Sequence, residues 1–344
     1  MSDDLLISAD SHVIEDPQLW KKRLPQSFQD RAPVFPELKV GGQFQARPGG
    51  HDPKARLSEM VEDGVSGEVL YPSFALDLYG LSDIPLQEMS FRVYNDWIIE
   101  YCAAAPDRLF GIGVLSCVNI PNAVKELERC KKNGLRGAMV WQAPPSDYAF
   151  HGEHYDPLWA AAQEMEMPIS MHILTGEPYP YPRQSPVRVA HLYLPHAVND
   201  KILYASNAIC GLMAGGALER FPRLKFVLVE NEVSWIPFFL SQYDKYLSRG
   251  NLESPMKLTT EEYFERQIYA TFFNDPPSKM LFGKWATKNL MWSNDYPHPN
   301  STWPNSRDVI ERDLGHLTPG VKKQLLSENV RELYGLPVLE PAMA

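Results

Sequence analysis

The sequence has few cysteines, and their spacing matches no familiar motif. Four cysteines occur among 344 residues, and no two of them form a CxxC pair. Disulfide-stabilised domains need a much denser and more regular set, so that class is excluded. The pattern predicts reduced thiols inside helices or strands, at Cys102, Cys117, Cys130 and Cys210.

Positive charge is also scarce. The chain has 33 Lys and Arg against 43 Asp and Glu, which gives a formal net charge of -10, and the basic residues are scattered among acids. Binding to phosphate backbones needs clustered Lys and Arg, so a nucleic acid partner is excluded. With 44% hydrophobic and 22% charged residues, the composition is that of a globular protein rather than a disordered one.

Long apolar runs are missing too. No uninterrupted run reaches the roughly 18 residues that a membrane-spanning helix needs. The first residues, MSDDLLISADSH, begin with two acids and lack the basic and apolar regions of a signal peptide. We therefore expect a cytoplasmic protein with no membrane partner.

The sequence does contain eight short apolar runs that are separated by helical patterns. Their residues do not alternate between polar and apolar, which is typical of parallel strands that are covered on both faces. Eight such units predict an α/β fold, a single (β/α)8 TIM barrel over residues 1–344 with a core of about 4–336. The runs are LLISAD (5–10), GEVLYP (67–72), FGIGVLS (110–116), GAMVW (137–141), MPISMHI (167–173), LKFVLVE (224–230), QIYATFF (267–273) and NLMWSND (289–295).

A doubly wound sheet is the alternative fold. It would place a glycine-rich phosphate turn after an early strand, but SADSHVIED (8–16) contains no glycine. Two stretches, 21–56 and 174–203, are longer than ordinary connections and follow strands one and five. Such long loops are typical of lids and of substrate-binding elements.

Metal-binding residue types cluster at four predicted strand ends. In a TIM barrel, the side chains that do chemistry lie at the C-terminal ends of the strands. Asp10 and His12 come after strand one, and their one-residue separation directs both side chains to the same side of an extended segment. His172 lies in strand five, Glu230 ends strand six and Asp295 ends strand eight. We expect these side chains to converge on a divalent metal ion.

An ordered set of sequence blocks resembles a known family over residues 4–336. The blocks are similar to those of amidohydrolase-related proteins of the aminocarboxymuconate-semialdehyde decarboxylase type, within the metal-dependent amidohydrolase superfamily. The resemblance implies a (β/α)8 barrel with one divalent ion, and Asp10, His12, His172 and Asp295 as its ligands or their neighbours. The blocks are DSHVIEDPQLW, RLSEMVEDGVSGEVLYP, YNDWIIEYCAAAPDRLFGIGVL, PISMH, FPRLKFVLVE and SNDYPHPNSTWP.

The sequence departs from the family pattern at strand six. The decarboxylases have a histidine followed three residues later by a glutamate, whereas this chain reads VENEVSWIP, with Glu230 and Glu232 and no histidine. Strand four, GAMVWQAPP, lacks the Lys or Glu that bridges two ions in binuclear superfamily members. A second ion would therefore need Glu230. Mixed histidine and carboxylate ligands accept Zn, Mn or Fe.

These features favour a hydrolase, in which Asp295 takes a proton from a metal-activated water that attacks an ester, thioester or amide of a small organic acid. Glu230 and His298 are further catalytic candidates. The alternative is non-oxidative decarboxylation of an aromatic or unsaturated carboxylate. A barrel that only binds a ligand is disfavoured because the metal-binding residue types are all present. A homo-oligomer is expected only from the general frequency of such assemblies.

Several residues near these motifs allow a structural or a functional interpretation. Glu15 either opens a helix or orients His12. Tyr296 and Trp303, in the loop after strand eight, are candidates for apolar walls of a substrate pocket. His191 and His196 lie in the second long stretch and are expected at the surface.

Overall fold

The structure, a computed structural model, describes residues 4–36, 47–176, 190–250 and 254–342, without the side chains of 190–197 and 200. Eight parallel strands form one sheet in chain order, which confirms the predicted (β/α)8 barrel. The strands are β1 (Ile7–His12), β2 (Gly67–Tyr71), β3 (Leu109–Val114), β4 (Gly137–Ala143), β5 (Ile169–Gly176), β6 (Phe226–Val229), β7 (Ile268–Phe272) and β8 (Leu290–Trp292).

Helices surround the strands and connect most of them. In the described residues the α-helices are α1 (Leu19–Arg23), α2 (Pro53–Asp63), α3 (Ile84–Cys102), α4 (Ile120–Lys132), α5 (Asp156–Glu164), α6 (Ala190–Ala214), α7 (Ala217–Arg220), α8 (Ile236–Gly250), α9 (Thr260–Gln267), α10 (Ser306–Leu314), α11 (Pro319–Lys323) and α12 (Asn329–Tyr334).

The burial of each element explains its sequence pattern. All residues of β1, β2, β3 and β4 are buried, because helices cover one face and the barrel interior fills the other. In α4, the buried residues Ile120, Ala123, Leu127 and Cys130 recur every three or four positions and face the barrel. The helix begins at Asn119, whose side chain accepts a hydrogen bond from the Asn122 N–H.

Two backbone hydrogen bonds join the first strand to the segment after the last one. The Asp295 N–H donates to the Asp10 carbonyl (3.0 Å), and the His12 N–H donates to the Tyr296 carbonyl (2.6 Å). These bonds bring Asp295 beside Asp10 and His12 at the C-terminal end of the barrel. Backbone hydrogen bonds therefore hold three of the predicted ligands, Asp10, His12 and Asp295, next to one another.

The long stretch predicted as a loop at 174–203 is partly helical. The strand β5 continues to Gly176, and α6 begins at Ala190, so 190–203 are helix; residues 177–189 lie outside the described part of the chain. Pro195 obscures this helix in the sequence, because an internal proline removes a backbone N–H donor and normally ends a helix. The first stretch, 21–56, contains the end of α1 and the start of α2, while 37–46 are not described.

The strand boundaries differ slightly from the predicted ones. The first strand extends to His12, so Asp10 and His12 lie within β1 rather than after it. The last strand ends at Trp292, three residues before Asp295. The four cysteines are free thiols, and three of them are buried, at Cys102, Cys117 and Cys130. No helix in the described ranges is long and apolar enough to cross a membrane.

Candidate metal centre and active site

Two histidines face each other inside the barrel mouth. The Nδ1 of His12 lies 2.7 Å from the Pro72 carbonyl, and the Nδ1 of His172 lies 2.8 Å from the Ile173 carbonyl. A carbonyl only accepts hydrogen bonds, so both Nδ1 atoms carry the proton and both Nε2 atoms present a lone pair. The two Nε2 atoms are 3.1 Å apart. Two lone pairs at this distance repel each other unless a cation binds them both.

Three carboxylates surround these nitrogens. Asp10 Oδ1 lies 3.5 Å from His12 Nε2 and 3.8 Å from His172 Nε2. Asp295 Oδ1 lies 3.7 Å from His12 Nε2, and Glu230 Oε2 lies 3.8 Å from His172 Nε2. The structure therefore places all five predicted metal-binding side chains at one point, where β1 and β5 meet the segments after β6 and β8.

The buried carboxylates of Asp10 and Asp295 leave their oxygens without hydrogen bonds. Both side chains are buried, and none of their four oxygen atoms accepts a well-oriented hydrogen bond from the described residues. Unpaired buried carboxylates are costly, so such oxygens normally bind a cation. Two imidazole nitrogens and several carboxylate oxygens form a donor set that suits a divalent transition metal. These residues fit the metal ion that the sequence predicts.

The ligand atoms form two groups that share one histidine. One group is Asp10, His12 and His172, and the other adds Glu230, Asp295 and His298 to His12; within each, all ligand atoms lie within 4.8 Å of one another. Because His12 belongs to both groups, the described side chains form one compact cluster.

The pKa shifts in the cluster show that burial disfavours the charged forms of its side chains. Burial, together with Glu230 and Asp10, raises the pKa of Asp295 well above its usual value. Burial also raises the pKa of Asp10, although His172 and His298 oppose this shift. Burial and the neighbouring His298 lower the pKa of His12 well below its usual value. A bound divalent cation would favour the ionised carboxylates and the neutral imidazoles.

Three residues at the same place have a strained backbone conformation. Glu230, Glu232 and Asp295 all have positive φ angles, of +62°, +56° and +51°. Non-glycine residues rarely adopt this left-handed conformation, and they do so mainly at functional sites. Hydrogen bonds hold the strained turns: the Glu230 N–H donates to Thr271 Oγ1 (2.9 Å), and the Asp295 N–H donates to the Asp10 carbonyl.

His298 connects Asp295 to the turn after β2. Its Nδ1 lies 3.0 Å from Asp295 Oδ1, and its Nε2 lies 3.3 Å from Ser73 Oγ. The ring stacks on His12 with a centroid distance of 3.8 Å. Burial lowers the pKa of His298, although Glu230 and Asp10 oppose this shift. A neutral imidazole in this position can exchange a proton with Asp295.

Glu15 holds the turn that carries Ser73. Its buried carboxylate accepts hydrogen bonds from the backbone N–H groups of Ser73 (3.1 Å), Phe74 (3.0 Å) and Ala75 (2.9 Å). The sequence predicted that Glu15 either opens a helix or orients His12. In the structure Glu15 instead holds the turn after β2. Among the described residues, the hydrogen bonds of Glu15 lead to the cluster through Ser73 and His298.

A set of buried polar residues that the sequence did not single out supports Asp10 and Asp295. The Oδ1 atom of Asn294 accepts hydrogen bonds from Ser8 Oγ (3.0 Å) and Ser11 Oγ (2.8 Å). The Nδ2 group of Asn294 donates to Asp63 on α2 (3.2 Å). The signal was present, because Ser8 and Ser11 flank Asp10 and Asn294 precedes Asp295, but single serines carry little information.

Lys201 and Glu232 also belong to the site and were not predicted. Lys201 Nζ lies 3.5 Å from Glu230 Oε1. Burial acts to lower the pKa of Lys201, but the nearby Glu230, Glu232 and Asp295 carboxylates outweigh this effect and raise the pKa. Burial raises the pKa of Glu232 to about 7, although Lys201 opposes this shift. Sequence reasoning missed Lys201 because it lies in the stretch that was predicted as a loop.

Tyr296 and Trp303 hold the loop after β8 in place. The Tyr296 hydroxyl donates to the Glu59 carboxylate, and the Trp303 indole N–H donates to the Glu59 carbonyl (3.0 Å). The buried Arg56 guanidinium lies over the Tyr296 ring, 4.4 Å from its centroid. These contacts give both rings a structural role rather than the predicted one in a pocket wall. The side chains of His191 and His196 lie outside the described part of the chain.

Comparison with known proteins places this site in a family. A family model described as Amidohydrolase matches residues 7–336. The gamma-resorcylate decarboxylase of Rhizobium sp. (strain MTP-10005) is 23% identical over 75% of this chain and 82% of its own length. The 2-amino-3-carboxymuconate-6-semialdehyde decarboxylase of Dictyostelium discoideum is 24% identical over 83% of this chain and 77% of its own length.

Solved structures show the same fold. An amidohydrolase from Mycobacterium avium subsp. paratuberculosis K-10 has a TM-score of 0.78 at 15% identity, with 97% of this chain and 100% of that chain covered. A dihydroxybenzoic acid decarboxylase from Polaromonas sp. JS666 has a TM-score of 0.68 at 19% identity, with 97% of each chain covered. The Polaromonas structure contains bound manganese and an inhibitor, 2-nitroresorcinol.

These findings correct one expectation and confirm another. The expected hydrolysis of an ester, thioester or amide is wrong, because the curated relatives are decarboxylases. The expectation relied on the absence of the strand-six histidine, but another group such as Asp295 can supply the proton of a decarboxylation. The expected resemblance is confirmed by a match that covers nearly the whole chain. The protein is an enzyme of the amidohydrolase superfamily, and the chain belongs to the amidohydrolase family.

Proposed function

We propose that the protein is a metal-dependent, non-oxidative decarboxylase of an aromatic carboxylate. The observation that carries this proposal is the cluster, at the barrel mouth, of two imidazole lone pairs and two buried carboxylates whose oxygens accept no well-oriented hydrogen bond from the described residues. Its support comes from the curated relatives, which are decarboxylases of resorcylate and carboxymuconate type. The manganese in the Polaromonas structure makes Mn²⁺ the first ion to test.

Asp10, His12, His172 and Asp295 would hold the ion, with Glu230 at its outer side. The oxygens of Asp10 and Asp295 lack hydrogen bonds among the described residues, whereas Glu230 is paired with Lys201. When bound, the ion would supply positive charge that favours an anionic substrate.

The reaction needs one proton at the ring carbon. The bond from this carbon to the carboxylate breaks, CO2 leaves, and a new C–H bond forms at the same carbon. Asp295 is placed to deliver the proton because its carboxylate lies inside the cluster, 3.7 Å from His12 Nε2, and is in contact with His298. His298, 3.0 Å from Asp295 Oδ1, then restores the proton to that carboxylate.

Burial of the site assists this proton transfer. Asp10, His12, His172 and Asp295 are all fully buried. The interior excludes bulk water, so charges act more strongly there than in solution. The residues that would hold the ion are also held in place, because they belong to β1, to β5 and to the segment after β8 that is hydrogen-bonded to β1.

The test is release of labelled CO2 by manganese-loaded protein from carboxyl-¹³C substrates, namely 2,6-dihydroxybenzoate and 5-carboxyvanillate. We expect ¹³CO2 from at least one of them, dependent on Mn²⁺. Asp295→Asn keeps the shape of the side chain but cannot supply the proton, so kcat should fall by about a hundredfold or more. The proposal fails if the folded, manganese-loaded wild-type protein releases no CO2 from either acid.

A further inference from the structure

A lysine lies among the acids of the candidate site. Lys201, on α6, approaches Glu230 to 3.5 Å, and its side chain is 22% exposed. In the described part of the chain, no other Lys or Arg forms an ion pair with Asp10, Glu230 or Asp295. The lysine thus lies at the border between the buried cluster and solvent.

The position of Lys201 is at the barrel mouth, on the side of β5, β6 and β7. Lys201 follows β5, Glu230 follows β6 and Phe273 follows β7. The Lys201 ammonium lies 5.8 Å from the centroid of the Phe273 ring. The buried Phe273 ring therefore lies beside the ammonium group.

The balance of charge gives this lysine a role in substrate binding. The carboxylates of Asp10 and Glu230 already balance the charge of one divalent ion, and Asp295 adds a further negative charge whenever it is ionised. Lys201 adds one positive charge in either protonation state of Asp295, and this charge favours the binding of an anionic substrate. An ammonium has three N–H donors, so pairing with Glu230 leaves donors that can bind a second carboxylate.

We propose that Lys201 is a substrate-binding residue that selects for anionic aromatic acids, by donating to the substrate carboxylate from the side of Glu230. This inference rests on the proposed function for the identity of the substrate, and it adds the group that distinguishes a carboxylate from a neutral ring. Lys201→Arg keeps the positive charge, whereas Lys201→Met keeps the length of the side chain without it.

The test compares benzoate with benzamide on manganese-loaded protein. Benzoate lacks the ring hydroxyls that activate decarboxylation, so it serves as an unreactive anion, and benzamide is its neutral counterpart. Paramagnetic relaxation of the ring protons by Mn²⁺ reports binding near the ion, and elemental mass spectrometry reports the metal content of each variant. Lys322→Met is the matched control, because Lys322 is 14% exposed and pairs with Asp4 at 3.3 Å.

We expect Lys201→Met to weaken benzoate binding by about tenfold or more, with benzamide binding and manganese content unchanged. Lys201→Arg should bind benzoate nearly as the wild type does, and Lys322→Met should match the wild type. The inference is overturned if the wild type holds manganese without binding benzoate. Equal weakening of both probes, loss of manganese or no change in Lys201→Met also overturns it.

The two proposals fail in different ways. If the wild-type protein releases no CO2 from either test acid but still binds benzoate through Lys201, the proposed function fails and the anion selectivity stands. If CO2 is released and Lys201→Met prefers benzoate over benzamide as strongly as the wild type does, only the proposed role of Lys201 fails and the proposed function stands.

Discussion

Asp295 shows most directly how residue chemistry and backbone geometry combine at this site. Its carboxylate lies between His12 and His298, and its backbone N–H closes the barrel against Asp10. The sequence predicted Asp295 as a ligand because a carboxylate ends an apolar run. The positive φ angle could not be read from the sequence, because it depends on the closure of β8 against β1.

The raised pKa of Glu232 leads to a prediction of how the stability of the metal-free protein depends on pH. Burial raises its pKa from 4.5 to about 7, so the folded state binds this proton more tightly than the unfolded state. Its contribution to stability is complete below about pH 4.5 and is lost as the pH rises through about 7. Asp10 and Asp295, whose pKa values are also raised, act in the same direction.

Urea denaturation of the metal-free protein between pH 4.5 and 8 measures this effect. We expect Glu232→Gln to lose less free energy of unfolding over this range than the wild type. The exposed Glu261→Gln is the control and should follow the wild type. Identical pH profiles for Glu232→Gln and the wild type would show that Glu232 titrates normally.

Among the elements, the junction of β8 and β1 is the part of the barrel that positions the site. Strand order was predictable, because apolar runs without alternation are typical of parallel strands. The register of the junction was not, because it depends on the buried hydrogen bonds of Asn294 with Ser8 and Ser11. The helix α6 was also missed, because Pro195 lies inside it.

A substitution at Asn294 tests whether the junction of β8 and β1 positions the site. Asn294→Leu removes the acceptor that Ser8 and Ser11 share and one of the donors to Asp63, which should cost about 2 to 3 kcal/mol of unfolding free energy. Manganese affinity should fall as well, because Asp295 follows directly in the chain. Urea denaturation and manganese titration measure the two effects.

An exposed asparagine supplies the control for that experiment. Asn133→Leu, at the end of α4, should leave manganese affinity unchanged. A variant Asn294→Leu that binds manganese as tightly as the wild type would argue against a role for this junction in placing Asp295.

For the whole molecule, folding and metal binding should be coupled. The ligands come from β1, β5 and the segments after β6 and β8, which are distant in sequence, so the complete site exists only in the folded protein. Manganese at about 100 times its dissociation constant should therefore stabilise the protein by about 2.7 kcal/mol. Thermal unfolding with and without a chelator measures this. An unchanged melting temperature would contradict a preformed site.

The overall fold was predictable from the sequence because the strand pattern repeats eight times. The ligands were predictable because they lie at the ends of four of these strands. Lys201 and the bonds of Glu15 to the β2 turn were not predictable, because they depend on how separate loops meet at the barrel mouth. The single-domain organisation and the homo-oligomer stay predictions.

Metal content per chain is the measurement that tests the central claim, that the buried cluster is one metal centre. Elemental mass spectrometry of wild-type protein, Asp295→Ala and Glu230→Gln, each loaded with Mn²⁺ and desalted, gives the result. We expect one ion per chain in the wild type, its loss in Asp295→Ala and its retention in Glu230→Gln. Two ions, one of them lost with Glu230, would contradict the single centre, and a folded wild-type protein without metal would contradict the whole account.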